Sequence, residues 1–82
     1  MNKYAPLQKF LEQQRSIRVV LTMEEIEKII GDTLPKSAYQ YVQWWSNSNT
    51  SAHPYSRAWT DAGFHTVHVL ETIRSQKIIF ER

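Results

Sequence analysis

The spacing of apolar residues changes several times along the chain, and each change marks an element. In APLQKFLEQQ (5–14), Leu7, Phe10 and Leu11 recur at helical spacing, with Lys9, Glu12 and Gln13 outside the stripe. Pro6 fits the first turn, where a missing N–H costs nothing, so a helix is predicted over 5–14. IRVVL (17–21) then alternates Ile17, Val19 and Leu21 with Arg18 and Val20 and is rich in β-branched residues, which predicts a strand.

The helix over 23–30 is the best specified. Thr22 and Glu25 have the spacing of a capping box, and Leu21 and Ile26 that of a hydrophobic staple. Ile26, Ile29 and Ile30 supply its apolar face, and Gly31 a left-handed stop. After Pro35 a short helix is predicted to about residue 42. The segment is ambiguous: Ala38, Tyr41, Val42 and Trp45 fit a helical face, whereas Tyr39, Tyr41 and Gln43 alternate. WWSN is expected to be extended, and 46–53 reads as a polar loop. Pro54 opens a helix over 54–62, with Tyr55, Ala58, Trp59 and Ala62 on one side and Gly63 as its stop. Strands over 64–72 and 77–81 complete a hairpin around a glycine-free turn at 74–76. On the first of these strands Phe64, Thr66, His68 and Leu70 share one face, and His65, Val67 and Val69 the other.

The predicted order is helix, strand, helix, helix, polar loop, helix, strand, strand. It describes a single α+β domain over 1–82, winged-helix-like, with three to four short helices and a small antiparallel sheet ending in a C-terminal β-hairpin. In that plan the helix at 54–62 enters a DNA groove and the hairpin is the wing. Residues 32–53 form an insertion between the two helices of the helix-turn-helix.

Size sharpens the reading of the aromatics. A chain of 82 residues buries only about 60–65% of the surface its unfolded form exposes, so it needs aromatics inside. Trp59, at helical spacing with Tyr55 and Ala62, is expected in the core. Trp44 and Trp45 are adjacent, and a small core is not expected to bury both. One of the two is therefore a candidate exposed anchor or stacking platform.

Charge adds a direction. The net charge is +2, but it is segregated: +3 over residues 1–18, −3 over 19–35, +2 over 36–59 and zero over 60–82. No acidic residue lies between Lys36 and Thr60. Candidate nucleic-acid contacts are Lys36 and Ser37, then Ser46, Asn47 and Asn49, then Tyr55, Ser56 and Arg57, with Arg74 and Lys77 at the wing. Asn47 or Asn49 has the chemistry to read adenine, and Arg57 guanine. Glu24, Glu25, Glu27 and Asp32 form an acidic face that points away from DNA in this reading, or toward a basic partner in the alternative.

Catalytic signals are weak. There is no cysteine, and only two glycines, so no thiolate site and no glycine-rich phosphate loop. His65 and His68 fall on opposite faces of the predicted strand and cannot share a metal; His53 has no carboxylate near it in sequence. No enzymatic activity, cofactor or metal is expected. No apolar run approaches the ~20 residues of a membrane helix. The N-terminus has no hydrophobic signal region and reads as the true start of a soluble, cytoplasmic protein.

Four stretches carry a resemblance. YAPL, LTMEEIEKIIGDTLPKSA, WWSN and SRAWTDAGF, followed by a terminal strand, resemble a largely uncharacterised small bacterial and phage domain. That domain occurs alone and attached to larger proteins, some of them restriction-type nucleases. The resemblance spans Tyr4 to Phe80 and implies a setting in DNA metabolism or phage–host conflict. It implies nothing about catalysis. Ser46, Asn47, Ser56 and Arg57 stand where its motifs are polar.

The leading expectation is a non-enzymatic module binding duplex DNA. The alternative is a protein-interaction module, such as a phage-type inhibitor or nuclease accessory domain. A third reading is an enzyme fragment or a small-ligand pocket lined by Tyr39, Trp44 and Trp45.

Overall fold

A computed structural model describes residues 2–48 and 54–82. The elements run α1 (Ala5–Glu12), β1 (Arg18–Thr22), α2 (Met23–Ile30), α3 (Lys36–Gln40), α4 (Arg57–Thr60), β2 (His65–Val67), α5 (Thr72–Ser75) and β3 (Lys77–Glu81). Short 3-10 turns occupy Val42–Trp45, Pro54–Ser56 and Val69–Glu71. The three strands form one antiparallel sheet in the order β1-β3-β2, so the last strand in the chain is the central one. The α+β class and the small antiparallel sheet agree with the sequence. No helix among the described residues is long and apolar enough to cross a membrane.

Local rules account for α1, β1 and α2. Leu7 and Leu11 are buried on the face that the spacing indicated. At α2, Glu25 N–H donates to Thr22 Oγ1 at 3.0 Å, and Thr22 N–H donates to Glu25 Oε1 at 2.9 Å. These bonds, the backbone one first, hold the Glu25 carboxyl below its ordinary range. Gly31 ends the helix at φ 70°, a conformation that costs other residues a Cβ clash.

Three predicted elements differ. The WWSN segment is not extended: Val42–Trp45 winds as a 3-10 turn. The turn brings Trp45 Nε1 back to donate to the Ala38 carbonyl at 2.8 Å. Residues 54–62 form a 3-10 turn and the four-residue α4 instead of one helix, after which Gly63 turns the chain at φ 88°. The strand predicted over 64–72 ends at Val67. His68 takes a left-handed conformation (φ 53°), the chain makes a 3-10 turn and α5, and Gln76 (φ 56°) returns it to β3. The competing signal is helical: Val69, Thr72 and Ile73 lie three and four apart, Thr72 is buried, and the other two pack partly against the core. The shared faces assigned to His68 and Leu70 therefore do not exist, and both side chains are exposed.

The largest correction concerns the tryptophan pair. Trp44 is 7% exposed and Trp45 0%, so neither is an exposed anchor. The tight turn sets the two rings edge to face, with centroids 4.6 Å apart, and sends them into different layers. Trp44 stacks on Tyr55 at 4.0 Å, with Tyr4 of the α1 N-terminus edge-on at 5.9 Å. Trp45 faces Trp59 at 5.9 Å, and Trp59 in turn meets Phe80 of the central strand at 5.8 Å. A small core can hold both rings because the aromatics are themselves the core, reaching from α1 to the sheet.

Trp45→Phe keeps an aromatic ring but leaves the buried Ala38 carbonyl unpaired. It is expected to cost about 1–3 kcal/mol in chemical denaturation. A separate effect concerns alkaline pH. Burial raises the Tyr4 and Tyr55 phenols above their ordinary value of 10.0, and the Asp32 charge adds to the effect at Tyr4. A phenol raised on folding contributes stability that is fully present below pH 10.0 and lost as pH rises through the folded value. Thermal denaturation across that window should show a decline that is shallower in Tyr4→Phe and Tyr55→Phe.

Candidate nucleic-acid interface

Asn47 and Thr66 form a dense polar junction. The Asn47 Oδ1 accepts from Thr66 N–H at 2.8 Å and from Trp59 Nε1 at 2.9 Å. Its Nδ2 donates to the Thr66 carbonyl at 3.1 Å. The Thr66 hydroxyl lies 3.1 Å from the same Oδ1 but only 2.6 Å from the Trp45 carbonyl, which takes its single proton. The strand registers explain the arrangement. His65 and Val67 face β3, so Thr66 turns both backbone groups outward, and the Asn47 carboxamide meets them as one more peptide unit would.

The residues around it are also drawn into the fold. Ser56 is fully buried, and its hydroxyl donates to the Ser48 carbonyl at 2.5 Å, fastening the start of the polar loop to the turn before α4. Tyr55 lies on Trp44, and Ser46 is half-buried. Among the expected contacts here, Asn47, Tyr55 and Ser56 thus have structural partners, while Arg57 projects to solvent. Asn49, and the loop positions Thr50, Ser51 and His53, lie outside the described residues.

Among the described residues three of the ten cations are paired, and the basic candidates belong with Lys9, Arg15 and Arg82 among the exposed ones that are not. Lys3 pairs with Asp32 at 3.7 Å, Arg18 with Glu81 at 3.4 Å and Lys28 with Glu24 at 3.5 Å. Lys36, Arg57, Arg74 and Lys77 are all exposed and make no ion pair among the described residues. Segment α3 packs against α5, so Lys36 and Ser37 lie on a segment adjoining the one that carries Arg74, with Lys77 just beyond. Arg57 lies on α4, which packs against α1 and β2. Exposed Asp61 follows one turn after Arg57.

Two residues not singled out by the sequence share this region. Tyr41 is 58% exposed and Leu70 82% exposed. They belong to neighbouring segments, because the Val42–Trp45 turn packs on the Val69–Glu71 turn. Tyr41 is therefore the accessible ring of the aromatic stretch. The period that buries Ala38 and Trp45 also included Tyr41, which hid the distinction. The acids of α2 are partly used internally: Glu27 Oε2 accepts the Leu34 N–H at 2.8 Å and also engages Tyr39. An open apolar cleft lies elsewhere, lined by Asn2, Lys3, Ala5, Pro6, Lys9 and Ile30. Among the described residues no three His, Asp or Glu side chains converge as a metal site.

Asn47→Ala is expected to lower stability by roughly 2–4 kcal/mol, since it orphans the Trp59 indole and both Thr66 backbone groups. Asn47→Asp should be destabilised near neutral pH, where a carboxylate oxygen faces the Thr66 carbonyl. It should recover partly in acid, because the neutral carboxyl group regains a donor. Urea denaturation of both variants across pH tests this pair of outcomes.

No curated protein and no solved structure matches the chain. One family model does, over residues 4–81, which takes in every described element from α1 to β3. The chain therefore belongs to the family described as Domain of unknown function (DUF7662).

Proposed function

We propose that the domain is a small DNA-binding module of winged-helix type without enzymatic activity. The observation that carries this reading is that the cations expected at the interface, Lys36, Arg57, Arg74 and Lys77, are exposed and outside any ion pair among the described residues, as Lys9, Arg15 and Arg82 also are. Exposed, unpaired cations are what a phosphate backbone engages, with release of its condensed counterions. The order of elements supports the winged-helix part: α4 precedes the β2–β3 pair, and residues 68–76 stand in the place of a wing. Tyr41 and Leu70 beside this surface offer a ring for stacking and an apolar tip.

Asn47 is not free to read a base, because its amide is already committed to Thr66, which leaves the exposed Arg57 as the base-reading candidate among the described residues. Duplex DNA is the partner, and the setting is cytoplasmic DNA metabolism, in restriction, phage defence or transcription. The exposed Tyr41 and Leu70 favour a second reading, in which the same surface docks a protein such as a nuclease.

Fluorescence anisotropy with a short duplex, titrated over a range of salt, separates the two. Four phosphate contacts predict a slope of log affinity against log salt of about −3.6. Lys36→Ala and Arg74→Ala should each flatten it by about one, and Glu24→Ala should leave it unchanged. Absence of duplex binding at low salt, with the fold intact by circular dichroism, would overturn the DNA reading.

A further inference from the structure

The two edges of the sheet are finished differently, and the difference points to a partner. In an antiparallel ladder alternate residues turn their N–H and C=O toward one neighbour. Arg82 N–H donates to the Ile17 carbonyl and Met23 N–H to the Gln76 carbonyl, both at 2.9 Å, continuing the β1–β3 register at its two ends. Ile17, Val19, Leu21 and Met23 therefore face β3, and Arg18, Val20 and Thr22 face outward. The Thr22 N–H is taken by Glu25. Arg18 and Val20 remain, both exposed, with outward backbone groups that have no partner among the described residues. At the opposite edge, Thr66 is closed off by Asn47.

We propose that two copies of this chain associate through β1, the strands running antiparallel about a two-fold axis at Val19 and joining two three-stranded sheets into one. The register follows from which groups are free. An axis at Val20 sets Arg18 against Thr22 of the second copy, whose N–H is already engaged. An axis at Arg18 sets Val20 against Ser16 of the second copy, whose carbonyl already accepts from Arg82 Nε at 3.2 Å. An axis at Val19 sets Arg18 opposite Val20 of the second copy, and Val20 opposite its Arg18. All the free N–H and C=O groups of both strands are then paired.

Side chains agree with this axis. Ile17, 74% exposed, comes opposite Leu21 of the second copy. Val20, 49% exposed, is covered by the stem of the facing Arg18. Each Arg18 already holds its own Glu81 at 3.4 Å, so the seam brings together ion pairs and not bare charges. Because Asn47 closes the far edge of each copy, the assembly ends at two instead of growing into a filament. A strand from another protein could meet the same two residues; self-pairing is favoured because each copy brings an exposed Ile17 and Val20 together with an Arg18–Glu81 ion pair, so apolar groups and aliphatic stems meet across the seam.

Sedimentation equilibrium of the full chain should give twice the 9.7 kDa chain mass, and hydrogen exchange should show the Arg18 and Val20 amides protected at high concentration and released on dilution. Val20→Pro removes an outward N–H without touching the in-chain ladder, so it should give a folded monomer by sedimentation and circular dichroism. Should proline disturb the fold, Val20→Lys on the edge is expected to yield the same monomer. A wild-type chain that stays monomeric at millimolar concentration overturns the proposal. So does a dimer that survives whichever of these substitutions folds.

Discussion

One carboxamide ties the outer edge of the sheet to the aromatic core. Asn47 has no side chain beyond an amide, yet it completes the outer edge of β2 and anchors the Trp59 indole. The alternative for those groups is burial without a partner, which costs about 1–3 kcal/mol each. The loss of roughly 2–4 kcal/mol expected on removing the amide is a large fraction of folding stability, which is about 5–15 kcal/mol for ordinary domains. The Trp44–Trp45 turn that delivers Asn47 to this position is fixed in its turn by the Trp45–Ala38 bond. The polar and aromatic parts of residues 38–48 and 54–66 therefore hold one another in place.

This arrangement explains where the sequence was legible. The elements that obey local rules were readable: α2 through its capping box and Gly31, α1 through Leu7 and Leu11, and the sheet through the alternation in β1 and β3. What misled was competition between local patterns and distant partners. Trp44 and Trp45 look unburiable as neighbours, and only the stacking of Tyr55 and Tyr4 from other parts of the chain makes room for both. Residues 64–72 alternate well enough to suggest a strand, but Val69, Thr72 and Ile73 also satisfy a helix, and packing selects the helix.

For the candidate site the same logic applies in reverse. Lys36, Arg57, Arg74 and Lys77 are legible as surface cations because nothing apolar in their neighbourhood asks for them. By composition Asn47 and Ser56 read as surface polar groups; Ser56 is in fact fully buried, and Asn47 is exposed with its amide engaged. Their partners, Thr66 and Ser48, lie 19 and 8 residues away, and no periodicity reports such a bond. Tyr41 and Leu70 emerge only once the aromatic cluster is assembled, because exposure is decided by what the other rings leave uncovered.

The central position of β3 bears on how the molecule is made. Both of its neighbours precede it in the chain, β1 by more than fifty residues, and they do not pair with each other. While the polypeptide is being synthesised, β1 and β2 have no strand to join, and the three helices preceding residue 41 are all that local contacts can support. The sheet therefore closes only once β3 joins, in a step that brings together strands more than fifty residues apart. Topology of this kind slows folding and leaves strand edges open to other chains in the interval. The charged Arg18 on β1 is then useful before the native state exists, as a guard against premature association of an incomplete chain.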